Sequence, residues 1–115
     1  MLGPKQELFS VRGELGGHGT YLRLSGELDM ATYPLLETWF QGAERRGNDV
    51  IVVDLEHLTF IDTSGVHAFL RAAERAGRNG RAFAIIKAPA VVQKMLQITG
   101  TNHLLGSTRA HALVH

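Results

Sequence analysis

The chain has 115 residues with 12 basic and 11 acidic side chains, a formal net charge of +1 and 44% hydrophobic residues, a composition that suits one domain burying about two-thirds of its unfolded surface. It has no cysteine, which removes disulfides, thiolate metal sites and thiol nucleophiles together and suits a reducing cytosol. The charges are interspersed, with no nucleic-acid footprint, and no apolar leader or membrane-length run of about 20 apolar residues is present, so a cytoplasmic protein that touches neither nucleic acid nor membrane is expected.

Residues 7–12 and 20–25 flank the glycine-rich stretch 13–19, which predicts a hairpin with a flexible tip. That stretch lacks the Gly-x4-Gly-Lys-Ser/Thr pattern and leads into a strand, so it reads as a turn and not as a phosphate cradle. Leu36, Trp39, Phe40 and Ala43 then fall at helical spacing over 32–46, with Thr32 placed to cap and Pro34 in the first turn. On this face Trp39 reads as core. Val50-Ile51-Val52-Val53 is a β-branched run of the kind covered on both faces of a parallel sheet.

A second helix is expected over 64–76, with Val66, Phe69, Leu70 and Ala73 on one face and Gly77 as its stop. The basic run Arg71, Arg75, Arg78, Arg81 reads as a solvated face. Ala82–Ile86 repeats the buried-strand pattern; Pro89 opens a third helix with Val92, Met95 and Leu96 inward, ending at Gly100. A short helix capped by Ser107 is expected over 107–114. Strand and helix alternate from residue 20 onward, which predicts right-handed βαβ units in an α/β layer fold, with the first hairpin at a sheet edge.

The chemistry concentrates in Asp54-Leu55-Glu56-His57-Leu58-Thr59-Phe60-Ile61-Asp62-Thr63-Ser64-Gly65, which runs from a buried strand into a helix start. Asp62, Thr63 and Ser64 are all good N-cap residues, and Gly65 leaves the first turn open to close approach. Thr63 therefore presents its hydroxyl at a helix N-terminus, where unpaired N–H groups and the dipole favour an anion such as a phosphate. By themselves these residues need be no more than a cap. There is no Gly-x-Ser-x-Gly elbow, and nothing assigns any of the six histidines as a base, so the chain is not read as an enzyme. His111 and His115, four apart at the terminus, are not read as a metal site, and no cofactor is expected.

Leu24-Ser25-Gly26-Glu27-Leu28-Asp29 followed by Thr32, and then Asp54-Leu55 through Phe60-Ile61-Asp62-Thr63-Ser64-Gly65, resemble in order and separation the STAS domains, and among them the anti-sigma factor antagonists of bacterial partner-switching systems. The resemblance spans nearly the whole chain and implies a single domain over 1–115, a mixed sheet of four or five strands with helices mainly on one side. It also implies a mechanism. The unphosphorylated protein binds an anti-sigma factor that is itself a serine/threonine kinase and so releases the sigma factor; phosphorylation ends that binding, and a phosphatase restores it.

The matched acceptor is Thr63, and the matched partner surface comprises Asp29, Asp62, Thr63, Ser64 and Gly65. Two departures stand out: threonine replaces the commoner serine at the acceptor, and His67 stands where the family often has glycine. Other readings are a STAS subunit of a lipid-transport ABC complex, which shares the Asp-Thr-x-Gly turn, and a flavodoxin-type carrier. The last is disfavoured because its phosphate loop would follow the first strand.

Overall fold

A computed structural model describes residues 8–106 and 113–114. The chain runs β1 (Phe9–Leu15), β2 (Gly19–Leu28), α1 (Tyr33–Arg45), β3 (Val50–Ile61), α2 (Thr63–Arg78), β4 (Ala82–Ile86) and α3 (Ala90–Ile98), followed by a short 3-10 turn over Asn102–Leu104. The four strands form one sheet in the order β1-β2-β3-β4. β1 is antiparallel to β2, while β2, β3 and β4 are mutually parallel. The mixed sheet and edge hairpin are as expected. The helix expected from Ser107 lies, apart from Leu113 and Val114, outside the described residues, as do His111 and His115.

Strand alternation decides the layers. Leu22, Leu24, Ile51, Val53 and Ile85 pack in one cluster with Leu36 and Phe40 of α1, Val66, Phe69 and Ala72 of α2, and Val92 and Leu96 of α3. All three helices thus cover the same side of the sheet. Tyr21, Val50, Val52 and Ile86 point to the other side, where Val114 joins them in a second, smaller cluster. The β-branched run 50–53 is buried on both faces for this reason.

The differences from the sequence reading are local. The hairpin tip shrinks to Gly16-Gly17-His18, because Gly13, Glu14 and Leu15 pair with Leu22, Tyr21 and Thr20. Gly13 lies under Trp39, where a Cβ would come within 2.4 Å of the indole. β3 runs eight residues beyond Val53, since Ser25, Gly26, Glu27 and Leu28 of β2 continue to pair with His57, Leu58, Phe60 and Ile61 across register shifts. Those shifts let Leu55, Leu58 and Ile61 all face the main core.

α2 continues past Gly77 to Arg78, with Asn79 as its C-cap, and the left-handed residue that ends the turn is Gly80, at φ +67°. Arg71 and Arg75 of the basic run form ion pairs with Glu37, Arg75 also pairs with Glu44, and Arg81 donates to the Glu44 carbonyl, all on α1. The run therefore ties α2 to α1 instead of being wholly solvated.

Candidate functional site

The carboxyl end of β3 passes into α2 through Asp62, whose backbone is extended (φ −110°, ψ −174°). Its Oδ1 accepts from Gly65 N at 3.2 Å and caps the helix. Its Oδ2 accepts from Met30 N at 3.3 Å, and its own N–H donates to the Leu28 carbonyl at 3.1 Å. One residue therefore sets the helix start and fastens it to the loop between β2 and α1. Of the three candidate caps in the sequence, Asp62 takes the role, which leaves the hydroxyls of Thr63 and Ser64 uncommitted to it.

Asp29 builds that adjoining loop. Its Oδ1 accepts from Ala31 N at 2.9 Å and from Thr32 N at 3.1 Å. Thr32, expected as the cap of α1, occupies the cap position without a side-chain cap bond. Its hydroxyl instead donates to the Glu27 carbonyl and accepts from Asp29 N, both at 2.9 Å. The first sequence motif is thus a loop-forming unit, and Asp62 holds it against the second.

Thr63, the first residue of α2, is exposed, and Ser64 is half-buried. Gly65 is buried: a Cβ on it would lie 2.8 Å from Leu28 Cγ and 2.9 Å from Ile61 Cγ1. Gly65 therefore faces the core beneath the turn, not outward to a partner, and it shapes the surface by letting α2 sit close to β2 and β3. The amides of Thr63 and Ser64 have no acceptor among the described residues, so the exposed hydroxyl stands beside unpaired donors at the positive end of a 16-residue helix.

Sequence reasoning missed the apolar and aromatic surroundings. Met30 is 73% exposed and Phe60 44%, on the loop and strand end that flank the turn. Met30, Tyr33, Ser64, His67 and Arg71 line a depression of about 300 Å³. The available signal was the spacing of 64, 67 and 71, one face of a helix; Met30 and Tyr33 join them only through the fold.

A second cluster lies midway along β2 and β3, where β4 ends, on the side of the sheet without helices. Asp54 is buried, accepts the Tyr21 hydroxyl through Oδ2, and accepts Glu56 N through Oδ1 at 2.9 Å. Lys87 Nζ is 3.8 Å and Arg23 Nε 4.0 Å from its Oδ2, and the Arg23 guanidinium lies 5.2 Å over the Tyr21 ring. Burial first, then the hydrogen bond to Asp54 and its negative charge, push the Tyr21 phenol up to about 12. Asp54 opens the second motif, yet it sits on the opposite side of the sheet from the helices and serves as an ionic anchor there. Among the described residues no group of three or more His, Cys, Asp or Glu side chains could hold a metal ion, and no helix is long and apolar enough to cross a membrane.

Comparison with known proteins agrees with this architecture. The sequence profile described as "Mlab, STAS domain" matches residues 11–106. An anti-sigma-B factor antagonist of Staphylococcus aureus (strain NCTC 8325 / PS 47) is 26% identical over 84 residues, 73% of this chain and 78% of that protein. The solved structure of the anti-sigma factor antagonist SpoIIAA in its unphosphorylated form superposes with a TM-score of 0.77 at 21% identity, covering 91% of this chain and 92% of that one. An anti-sigma factor antagonist from Mycobacterium paratuberculosis superposes with a TM-score of 0.81 at 19% identity, covering 99% and 98%. With the profile spanning residues 11–106 and the mixed four-stranded sheet matching in fold, the chain belongs to the STAS domain family.

Proposed function

We propose that this protein is an anti-sigma factor antagonist whose binding to an anti-sigma kinase is switched off by phosphorylation of Thr63 and restored by a phosphatase. The observation that carries the reading is the exposed Thr63 hydroxyl at the start of α2, beside unpaired amides and next to the Asp29–Met30 loop that Asp62 fastens in place. The names of the S. aureus relative and of the structural neighbours support the same reading. Asp29, Asp62, Thr63 and Ser64 form the partner surface in this proposal, with Met30 and Phe60 as its apolar part and Gly65 as its support. The protein acts as the kinase's substrate and carries out no catalysis of its own, and its place of action is the cytoplasm.

The test is incubation with candidate anti-sigma kinases and ATP, followed by mass-spectrometric site mapping. Phosphate confined to Thr63 is the expected result; modification only at Ser64, or only outside the 62–65 turn, overturns the assignment. A second reading, a STAS subunit of a lipid-transport ABC complex, is favoured by the Asp-Thr-x-Gly turn at 62–65. Affinity purification from the native host separates the two: a soluble kinase supports the first, a membrane transporter the second.

A further inference from the structure

A phosphoryl group on Thr63 would stand among acids. Asp62 precedes it, with both carboxylate oxygens already accepting backbone N–H groups, and Asp29 lies in the loop fastened beside it. The unpaired amides of Thr63 and Ser64 offset part of that repulsion. Two basic side chains follow Thr63 along one face of α2: His67, four residues after Thr63, and Arg71, four residues after His67. Side chains three and four apart on a helix are surface neighbours. His67 therefore stands next to Thr63 on one side and lines the depression with Ser64, Arg71, Met30 and Tyr33 on the other.

Arg71 is already committed. Its Nη2 lies 3.1 Å from Glu37 Oε1, and its guanidinium sits 5.8 Å from the Tyr33 ring centroid. His67 is exposed, and its imidazole makes no hydrogen bond or ion pair among the described residues, so it can turn toward Thr63 without breaking one. A phosphomonoester becomes a dianion at its second ionisation, near about 6, so a basic neighbour on the same helix face is read directly in that ionisation.

We propose that His67 is a positioning residue for the modified state: as imidazolium it pairs with the phosphoryl group on Thr63 and holds it along the α2 face, over the depression next to Met30. This rests on the reading that Thr63 is the residue modified. The pairing favours the dianion over the monoanion, and a phosphatase has to displace His67 before it reaches phosphorus.

The test uses full-length protein with the phosphoryl group installed chemically or by genetic encoding at position 63, so that no kinase is involved. Phosphorus NMR then follows the second ionisation of the phosphate from pH 4 to 9 in wild type, His67→Gln, His67→Lys and Arg71→Gln. The midpoint is expected to be lower in wild type and His67→Lys than in His67→Gln by about 0.3 unit, the size of a helical ion pair. Raising the salt to 0.5 M should shrink that difference. Equal midpoints in wild type and His67→Gln overturn the proposal, and so does a shift that follows Arg71→Gln but not His67→Gln. If kinases modify some other residue while the His67 effect appears on the installed phosphate, the switch reading fails and the geometric one stands.

Discussion

At the scale of single residues, Thr63 and Tyr21 lead to different experiments. Thr63 is exposed and, in the proposed function, lies on the surface that loses water on binding, so Thr63→Ala should bind an anti-sigma partner about as well as wild type while resisting phosphorylation. Thr63→Asp introduces an unpaired charge and should lose on the order of a hundredfold in affinity, about 2.7 kcal/mol, by calorimetry. Fully phosphorylated protein should lose more, because phosphate carries more charge than a carboxylate; equal affinity of the modified and unmodified forms would sink the switch. For Tyr21 the sign runs through the neutral phenol. Its folded pKa of about 12 lies above the ordinary 10.0, so its stabilising contribution is complete below pH 10 and is lost as pH rises toward 12. Between pH 9.5 and 11.5 urea unfolding should show wild type losing on the order of 1–2 kcal/mol more than Tyr21→Phe does.

At the scale of elements, the joint between β3 and α2 depends on a cap and a close approach. Asp62→Ala removes the bond from Gly65 N and should cost about 1 kcal/mol of stability, with Asp62→Asn closer to wild type because it can still accept. The Ala variant should also loosen the Met30 loop, since Asp62 Oδ2 holds its amide; hydrogen exchange at Met30 that stays as slow as in wild type would argue against this coupling. Gly65→Val pushes branched carbon into Leu28 and Ile61. It should destabilise by roughly 1–3 kcal/mol, and any loss of partner affinity should come through a displaced α2, not through a blocked surface. The hairpin has a comparable demand at Gly26, which sits at φ +92° with a Cβ direction only 1.6 Å from the Leu8 carbonyl oxygen. Gly26→Ala is expected to cost more than about 1 kcal/mol in thermal or urea unfolding.

At the scale of the whole molecule, the sheet has unequal sides. Three helices bury one, whereas the other is closed by a small cluster in which Val114 is fully buried against Tyr21, Val50, Val52 and Ile86. The Val114 carbonyl accepts from His18 N at 3.1 Å, so the chain's last described residues fasten the hairpin tip as well. Val114→Asp places a carboxylate in this apolar cluster and should destabilise by on the order of 2 kcal/mol or more. Differential scanning calorimetry would register this as a clear drop in Tm, and an unchanged Tm would mean that this side of the sheet does not depend on Val114.

The strands over 50–53 and 82–86, the three helices, the edge hairpin and the Asp62-Thr63 turn were legible in the sequence because each is encoded by neighbours: a β-branched run, an apolar period near 3.6, a proline at a helix start, cap residues together. Asp62-Thr63-Ser64 could be read as a helix start for the same reason, but which of them caps could not, since all three side chains suit the role and only the Gly65 and Met30 amides select Asp62. The length of β3 was hidden because residues 54–61 lack a clean alternation; pairing with the second half of β2 across register shifts makes them a strand. Likewise Asp54 stands in the second motif yet anchors Tyr21 and Lys87 on the far side of the sheet, and Gly65 faces the core. Local signals specify what each segment forms. Which face each side chain takes, and which distant residue meets it, is set by strand register and layer packing, and these exist only once the chain has closed on itself.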